Sequence, residues 1–181
     1  MKQRVYYAVA IESTFKHGPG ERLNDAQRAV LRDEYGINPF NTMPIYPVEV
    51  MEKAMRYLQR ELFPSTPLDE SEALLGVLSF RGFAQTLIGK AIMQMMRLIG
   101  PERTMPRMSK NLSAGTNFME ISSHKRGAGD FELHVSDVGV LPHFYRGMFA
   151  EGLAYTRAKD LKVDVASHDG RGATYRITWS A

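Results

Sequence analysis

The 181-residue sequence has no cysteine. Disulfides, thiolate zinc sites, iron–sulfur clusters and a cysteine nucleophile are thereby excluded, and the absence suits a reducing compartment. Histidine is sparse: His17, His124, His134, His143 and His168 form neither an i, i+4 pair nor an HExxH motif. His124 and His134 fall in two consecutive expected strands as cross-strand neighbours, but a metal there would need a third ligand, so no metal site is expected. No GxSxG elbow supports a serine hydrolase.

A strong charge imbalance is also missing, with 23 Lys and Arg against 20 Asp and Glu and a net charge of +3. The densest basic stretch, Arg97 to Lys110, contains Glu102 and no interleaved aromatic residue. It reads as solvated surface rather than a nucleic-acid-binding patch. Long apolar runs are absent too. Val5–Ile11 is short, carries two tyrosines and meets Glu12 with no clear small-residue cleavage site, so it reads as a strand, not a signal peptide. Leu87–Ile99 is interrupted by Lys90, Gln94 and Arg97 and is too polar to span a bilayer. A cytoplasmic location is expected.

What is present is an ordinary globular composition, 44% hydrophobic and 24% charged, with eleven methionines against one tryptophan. The length suits one domain over 1–181. Val5–Ser13 is rich in β-formers. Asn24 is placed to cap a helix that ends near Tyr35 at Gly36, and Pro39 to Pro47 reads as a loop. Pro47 then opens a helix whose stripe is Val48, Met51, Met55, Leu58 and Leu62. Thr66 and Pro67 are placed to cap and open another, continued by Leu74 to Arg97 with a break expected near Gly76 or Gly82. Phe80–Ile99 is apolar on most sides, as a central buried helix would be, and Gly100-Pro101 ends it.

The second half alternates. Asn117 to His124, with Met119 and Ile121 on one face, and Phe131, Leu133 and Val135 read as a hairpin around a turn at Lys125–Asp130. Pro142 opens a helix from about His143 to Lys159. Leu161–Ser167 and the Tyr175, Ile177, Trp179 alternation form a second hairpin around Asp169-Gly170. The expected class is α+β: an N-terminal strand and helices (helix-rich 1–100), then a β-β-α-β-β unit over 112–181 whose antiparallel sheet packs against helices.

Gly82 to Lys90 superficially resembles a phosphate loop, but Ala84 stands where its first glycine belongs and Ala91 where its Ser or Thr belongs. Gly82, Thr86 and Gly89 instead form a small-residue stripe that lets a backbone, or a ligand, approach closely. Met93, Met95 and Met96, with Met105, Met108 and Met119, are suited to fill a core or to line an adaptable pocket. Phe144, Tyr145 and Arg146 stand at the start of a helix, where amides and a cation are able to receive an anion, or where the aromatics pack on the sheet.

Met43-Pro44-Ile45-Tyr46-Pro47, Glu72-Ala73 with Gly76, Gly82-Phe83 with Thr86 and Gly89, Gly100-Pro101 with Arg103, Asn117-Phe118 and Phe144-Tyr145-Arg146-Gly147 together resemble a paralogous family of unknown function expanded in myxobacteria. The resemblance runs from about Val5 to Trp179 and implies no catalytic residues. In topology alone the chain is similar to the fold of haem-based nitric-oxide sensors, vinyl-reductase-type ligand-binding domains and vesicle-tethering subunits. The haem sensors bind iron through a histidine on the helix before the sheet. Phe80–Ile99 has none, and a Tyr-x-Ser-x-Arg motif is absent. The cysteines frequent in vinyl-reductase-type domains are absent as well. No cofactor is expected.

These features favour a non-catalytic, cytoplasmic sensory or regulatory domain that binds a small apolar molecule between the Phe80–Ile99 helix and the sheet. Phe83, Thr86, Gly89, Met93, Met96 and Tyr145 are its candidate lining, and Arg146 a candidate polar contact. The alternative is a ligand-free protein–protein interaction module, most simply a homodimer.

Overall fold

The computed structural model describes residues 3–108, 115–139 and 141–180. Lys110 and the expected start of the second half at 112 lie outside them. The chain opens with β1 (Val5–Tyr7), then α1 (Ala8–Ile11) continuing as a wider π-turn through Glu12–Lys16. The expected long strand over Val5–Ser13 is thus only three residues. Ile11 and Phe15, four apart, are both buried, and the Ser13 hydroxyl bonds back to the Val9 carbonyl at 2.6 Å, so tertiary packing overrides β propensity.

α2 (Asp25–Tyr35) is closed by the reciprocal Asn24–Gln27 capping box and by left-handed Gly36. The expected Pro39–Pro47 loop ends in a short strand, β2 (Ile45–Pro47), antiparallel to β1. α3 (Val48–Leu62) follows directly, with Val48, Met51, Met55 and Leu58 buried. α4 (Leu68–Gln85) has Pro67 at its N-cap, and Thr66 makes no cap there.

The helix expected through Leu74–Arg97, with a break near Gly76 or Gly82, is two helices parted elsewhere. The break falls at Thr86, whose extended backbone (ψ 158°) ends α4 and caps α5 (Leu87–Thr104). The glycines named as break points are used for packing instead. A Cβ on Gly76 would strike the Phe144 carbonyl, one on Gly82 the Ser13 carbonyl, and one on Gly147 the Ala73 carbonyl. At Gly100 the backbone is not helical (φ 74°, ψ 176°), so the run from Leu87 stops where Gly100-Pro101 is expected to end it, and α5 resumes beyond that kink to Thr104. Nor is α5 buried all round, since Leu87 and Leu98 are each 86% exposed.

β3 (Ile121–Gly127), β4 (Asp130–Val135), α6 (Pro142–Ala154), β5 (Lys159–His168) and β6 (Ala173–Ser180) build the second half. The antiparallel sheet has the order β3-β4-β6-β5. Met119 precedes the strand expected to hold it, and α6 stops at Ala154, short of Lys159. His124 faces Glu132 and His134 faces Ser122, so the two imidazoles are diagonal rather than opposite. Phe131, Leu133, Val135, Tyr175 and Ile177 turn one sheet face inward. α6 covers that face: Phe149 packs edge-on to Tyr175 at 5.0 Å, and the Tyr175 hydroxyl donates to the Pro142 carbonyl at 2.8 Å. The class is therefore α+β as the alternation implies, with α4 and α6 crossed backbone to backbone. No helix among the described residues is long and apolar enough to cross a membrane.

Candidate functional site

A cavity of about 120 Å³ lies among the N-terminal segment, α4, α5 and α6. Tyr6, Val9, Ala10, Ser13 and Thr14 form one side, Ser79, Phe80 and Phe83 of α4 the next, and Ile92, Met93 and Met96 of α5 the third. α6 supplies Phe144, Tyr145, Met148, Phe149 and Gly152; Met51, Met108, Gly115, Thr116 and Met119 complete it. No residue of the four-stranded sheet takes part, because α6 stands between sheet and cavity. The pocket expected between helix and sheet is thus a pocket between helices.

No Asp, Glu, Lys, Arg or His is among the described lining residues. Six of the eleven methionines are there. Met95 is exposed and Met105 is buried in the main core outside it. Phe83, Met93, Met96 and Tyr145 of the candidate set meet at this cavity. Thr86, Gly89 and Arg146 do not line it. The Thr86 hydroxyl is committed to the helix junction, donating to the Phe83 carbonyl at 2.7 Å and accepting from Gly89 N at 3.0 Å. Gly89 is pressed against the Phe83 carbonyl, leaving no room for a ligand between them. Arg146 reaches instead toward the Asp69 carbonyl at 3.5 Å.

Sequence reasoning missed Tyr6, Ser79 and Thr116. Tyr6 was hidden by its strand setting, and Ser79 and Thr116 carry no motif. Tyr6 and Tyr145 meet hydroxyl to hydroxyl at 3.1 Å, while Thr116 bridges to Tyr6 across the backbone. Burial pushes Tyr6 up to about 12 despite its hydrogen bond with Tyr145, and burial, with Tyr6 beside it, pushes Tyr145 well above the usual phenol range. Both hydroxyls therefore stay neutral donors at physiological pH.

A second polar cluster lies near Tyr6. Asp137, 1% exposed, accepts from Arg4 at 2.6 Å, from Arg171 at 2.9 Å and from Gly139 N at 3.0 Å. Arg4 also sits 4.8 Å over the Phe118 ring, and burial raises the neighbouring Glu52 carboxyl despite the field of Arg4. Among the described residues no group of three or more His, Cys, Asp or Glu side chains gathers as a metal site.

The fold is shared with H-NOX structures. An H-NOX protein from S. oneidensis, in the Fe(II)NO ligation state, is 10% identical with a TM-score of 0.66, covering 97% of this chain and 99% of that one. The Fe(II) unliganded H-NOX protein from K. algicida is 9% identical with a TM-score of 0.63, covering 97% of each chain. An oxygen-binding H-NOX domain related to soluble guanylate cyclases is 10% identical with a TM-score of 0.58, covering 96% of this chain and 92% of that one. At such identity the likeness establishes the fold alone. No curated protein matches the sequence. Residues 4–180 match a family described as "Protein of unknown function (DUF2378)", and with nearly the whole chain matched, the protein belongs to that family.

Proposed function

We propose that this chain is a single, non-catalytic, cytoplasmic sensory domain that holds a small uncharged molecule in the α4–α5–α6 cavity. We take the myxobacterial paralogous family of the sequence resemblance to be the family it belongs to. The observation that carries the reading is the cavity itself: apolar, walled by six thioethers, and free of carboxylate, imidazole or amine among its described lining residues. Its two tyrosines hold their protons more tightly than usual, which suits binding rather than acid–base chemistry.

The haem suggested by the H-NOX structures does not fit this cavity. About 120 Å³ is below the ~300 Å³ at which pockets for drug-sized molecules begin. The described lining has no imidazole or thiolate for iron and no cation for a propionate, and its tyrosines resist ionisation. An engineered apolar cavity of ~150 Å³ holds benzene, so a single-ring guest is the appropriate scale.

The test uses protein labelled at the methionine methyl groups and titrated with toluene. The expected result is shifts at Met51, Met93, Met96, Met108, Met119 and Met148, with the exposed Met43 and Met95 unmoved. Shifts confined to Met43 and Met95, or none at all, would refute the reading.

A second reading has its own observation. Leu87, Ile88, Met95 and Leu98 expose apolar surface on the outer side of α5. They favour an interaction module, most simply a homodimer. Light scattering would then give a concentration-independent dimer that Leu87→Ser with Leu98→Ser dissociates; a monomer removes this reading.

A further inference from the structure

Buried hydroxyls without partners are uncommon, because each has given up its hydrogen bonds to water for none in return. Among the described residues, Ser79 Oγ and Thr116 Oγ1 are buried with no hydrogen-bond partner. Other buried atoms without partners belong to Arg4, Glu72, His143 and Arg146, whose side chains each make a polar contact through another atom. Ser79 and Thr116 make none, and both stand in the wall of the same cavity, 3% and 6% exposed.

The Tyr6–Tyr145 pair adds to this surplus. Two phenols share one hydrogen bond, so one proton is used between them and the other is left without an acceptor. At least three hydroxyl protons are thus unassigned around one cavity. Ser13 does not add to them, since it already donates to Val9. An apolar guest alone would leave all three unmet, and a carboxylate would enter with no cation among the described lining residues to pair it.

We infer that the cavity takes a neutral, ring-sized ligand bearing an acceptor oxygen, of the ketone, aldehyde or ester class, whose carbonyl accepts from up to two of the free hydroxyl protons that Tyr6 or Tyr145, Ser79 and Thr116 supply. This inference rests on the reading of the cavity as a ligand site. The apolar part of the ligand lies against the methionines, and the oxygen lies on the side where Thr116 bridges to Tyr6.

Three probes of one shape test it: cyclohexanone, methylenecyclohexane and cyclohexanecarboxylate, each titrated against the full chain with methionine methyl shifts as the readout. Cyclohexanone is expected to bind about fivefold or more tighter than methylenecyclohexane, the equivalent of one net hydrogen bond, and the carboxylate not to bind. In a Ser79→Ala, Thr116→Val, Tyr145→Phe variant the preference should vanish while methylenecyclohexane still binds, which also shows that the cavity is intact. Should that variant not fold, Thr116→Val alone is to narrow the preference. Equal binding of ketone and alkene to the native chain, or binding of the carboxylate, overturns the inference while leaving the cavity a ligand site. Binding of no probe overturns both.

Discussion

Arg4 reaches across 133 positions of sequence to donate a 2.6 Å hydrogen bond to the buried carboxylate of Asp137. This contact joins β1 to the segment between β4 and α6. Arg171 approaches the other oxygen of Asp137 from the β5–β6 turn, but its side chain is 70% exposed against 33% for Arg4. Water screens the outer pair more than the inner one. Arg4→Ala is therefore expected to cost about 2 kcal/mol and Arg171→Ala less than about 1 kcal/mol. Urea unfolding of the two variants checks the order; equal losses would show that burial does not set it.

The α4–α6 crossing predicts a second ranking. A methyl group on Gly76 or Gly147 would meet a backbone carbonyl that cannot turn aside. Each alanine variant should lose about 1–3 kcal/mol through overpacking. Gly127→Ala, where a Cβ meets nothing within 4 Å, serves as the control and should stay within about 0.5 kcal/mol.

At the α4–α5 junction, Thr86→Ala removes the acceptor of the Gly89 amide and should cost about 1 kcal/mol, whereas Thr86→Ser keeps it and should be near neutral. Thermal unfolding of both variants distinguishes loss of the cap from loss of the Thr86 methyl, since the methyl is absent from both.

Alkaline pH supplies a fourth test. Tyr6 ionises near 10 in the unfolded chain and only near 12 in the folded one. Between these values the unfolded state releases the proton and the folded state retains it, so stability falls as pH rises, by about 1.4 kcal/mol per pH unit for one such group. Below pH 10 the effect is absent. Tyr6→Phe should flatten the slope in that window in denaturant titrations, and an unchanged slope would remove Tyr6 as its source.

Much of the fold was legible from local chemistry. The Asn24–Gln27 box and Gly36 bound α2, the Val48-to-Leu58 stripe defines α3, and alternation marks β4 and β6, because each signal sits within a few residues of its effect. What was illegible depended on partners distant in sequence. β2 exists only by pairing with β1, and Val9–Lys16 leaves the extended state because Ile11 and Phe15 find a core. At the site, Phe83, Met93 and Met96 could be named as one apolar face. Tyr6, Ser79 and Thr116 could not, since only the folded chain brings a strand, a helix and a loop to one cavity.

The glycine contacts make the two long walls of that cavity mechanically unequal. Where α4 and α6 touch backbone to backbone, there are no rotamers through which the wall can give way. Opposite them, Met93 and Met96 each have three rotatable bonds and a deformable sulfur. The backbone crossing is thus the fixed part of the cavity's frame, and the thioethers, Met148 of α6 included, are its deformable lining. Guests of different width would be accommodated by displacing α5 and its thioethers, while the α4–α6 crossing keeps its shape.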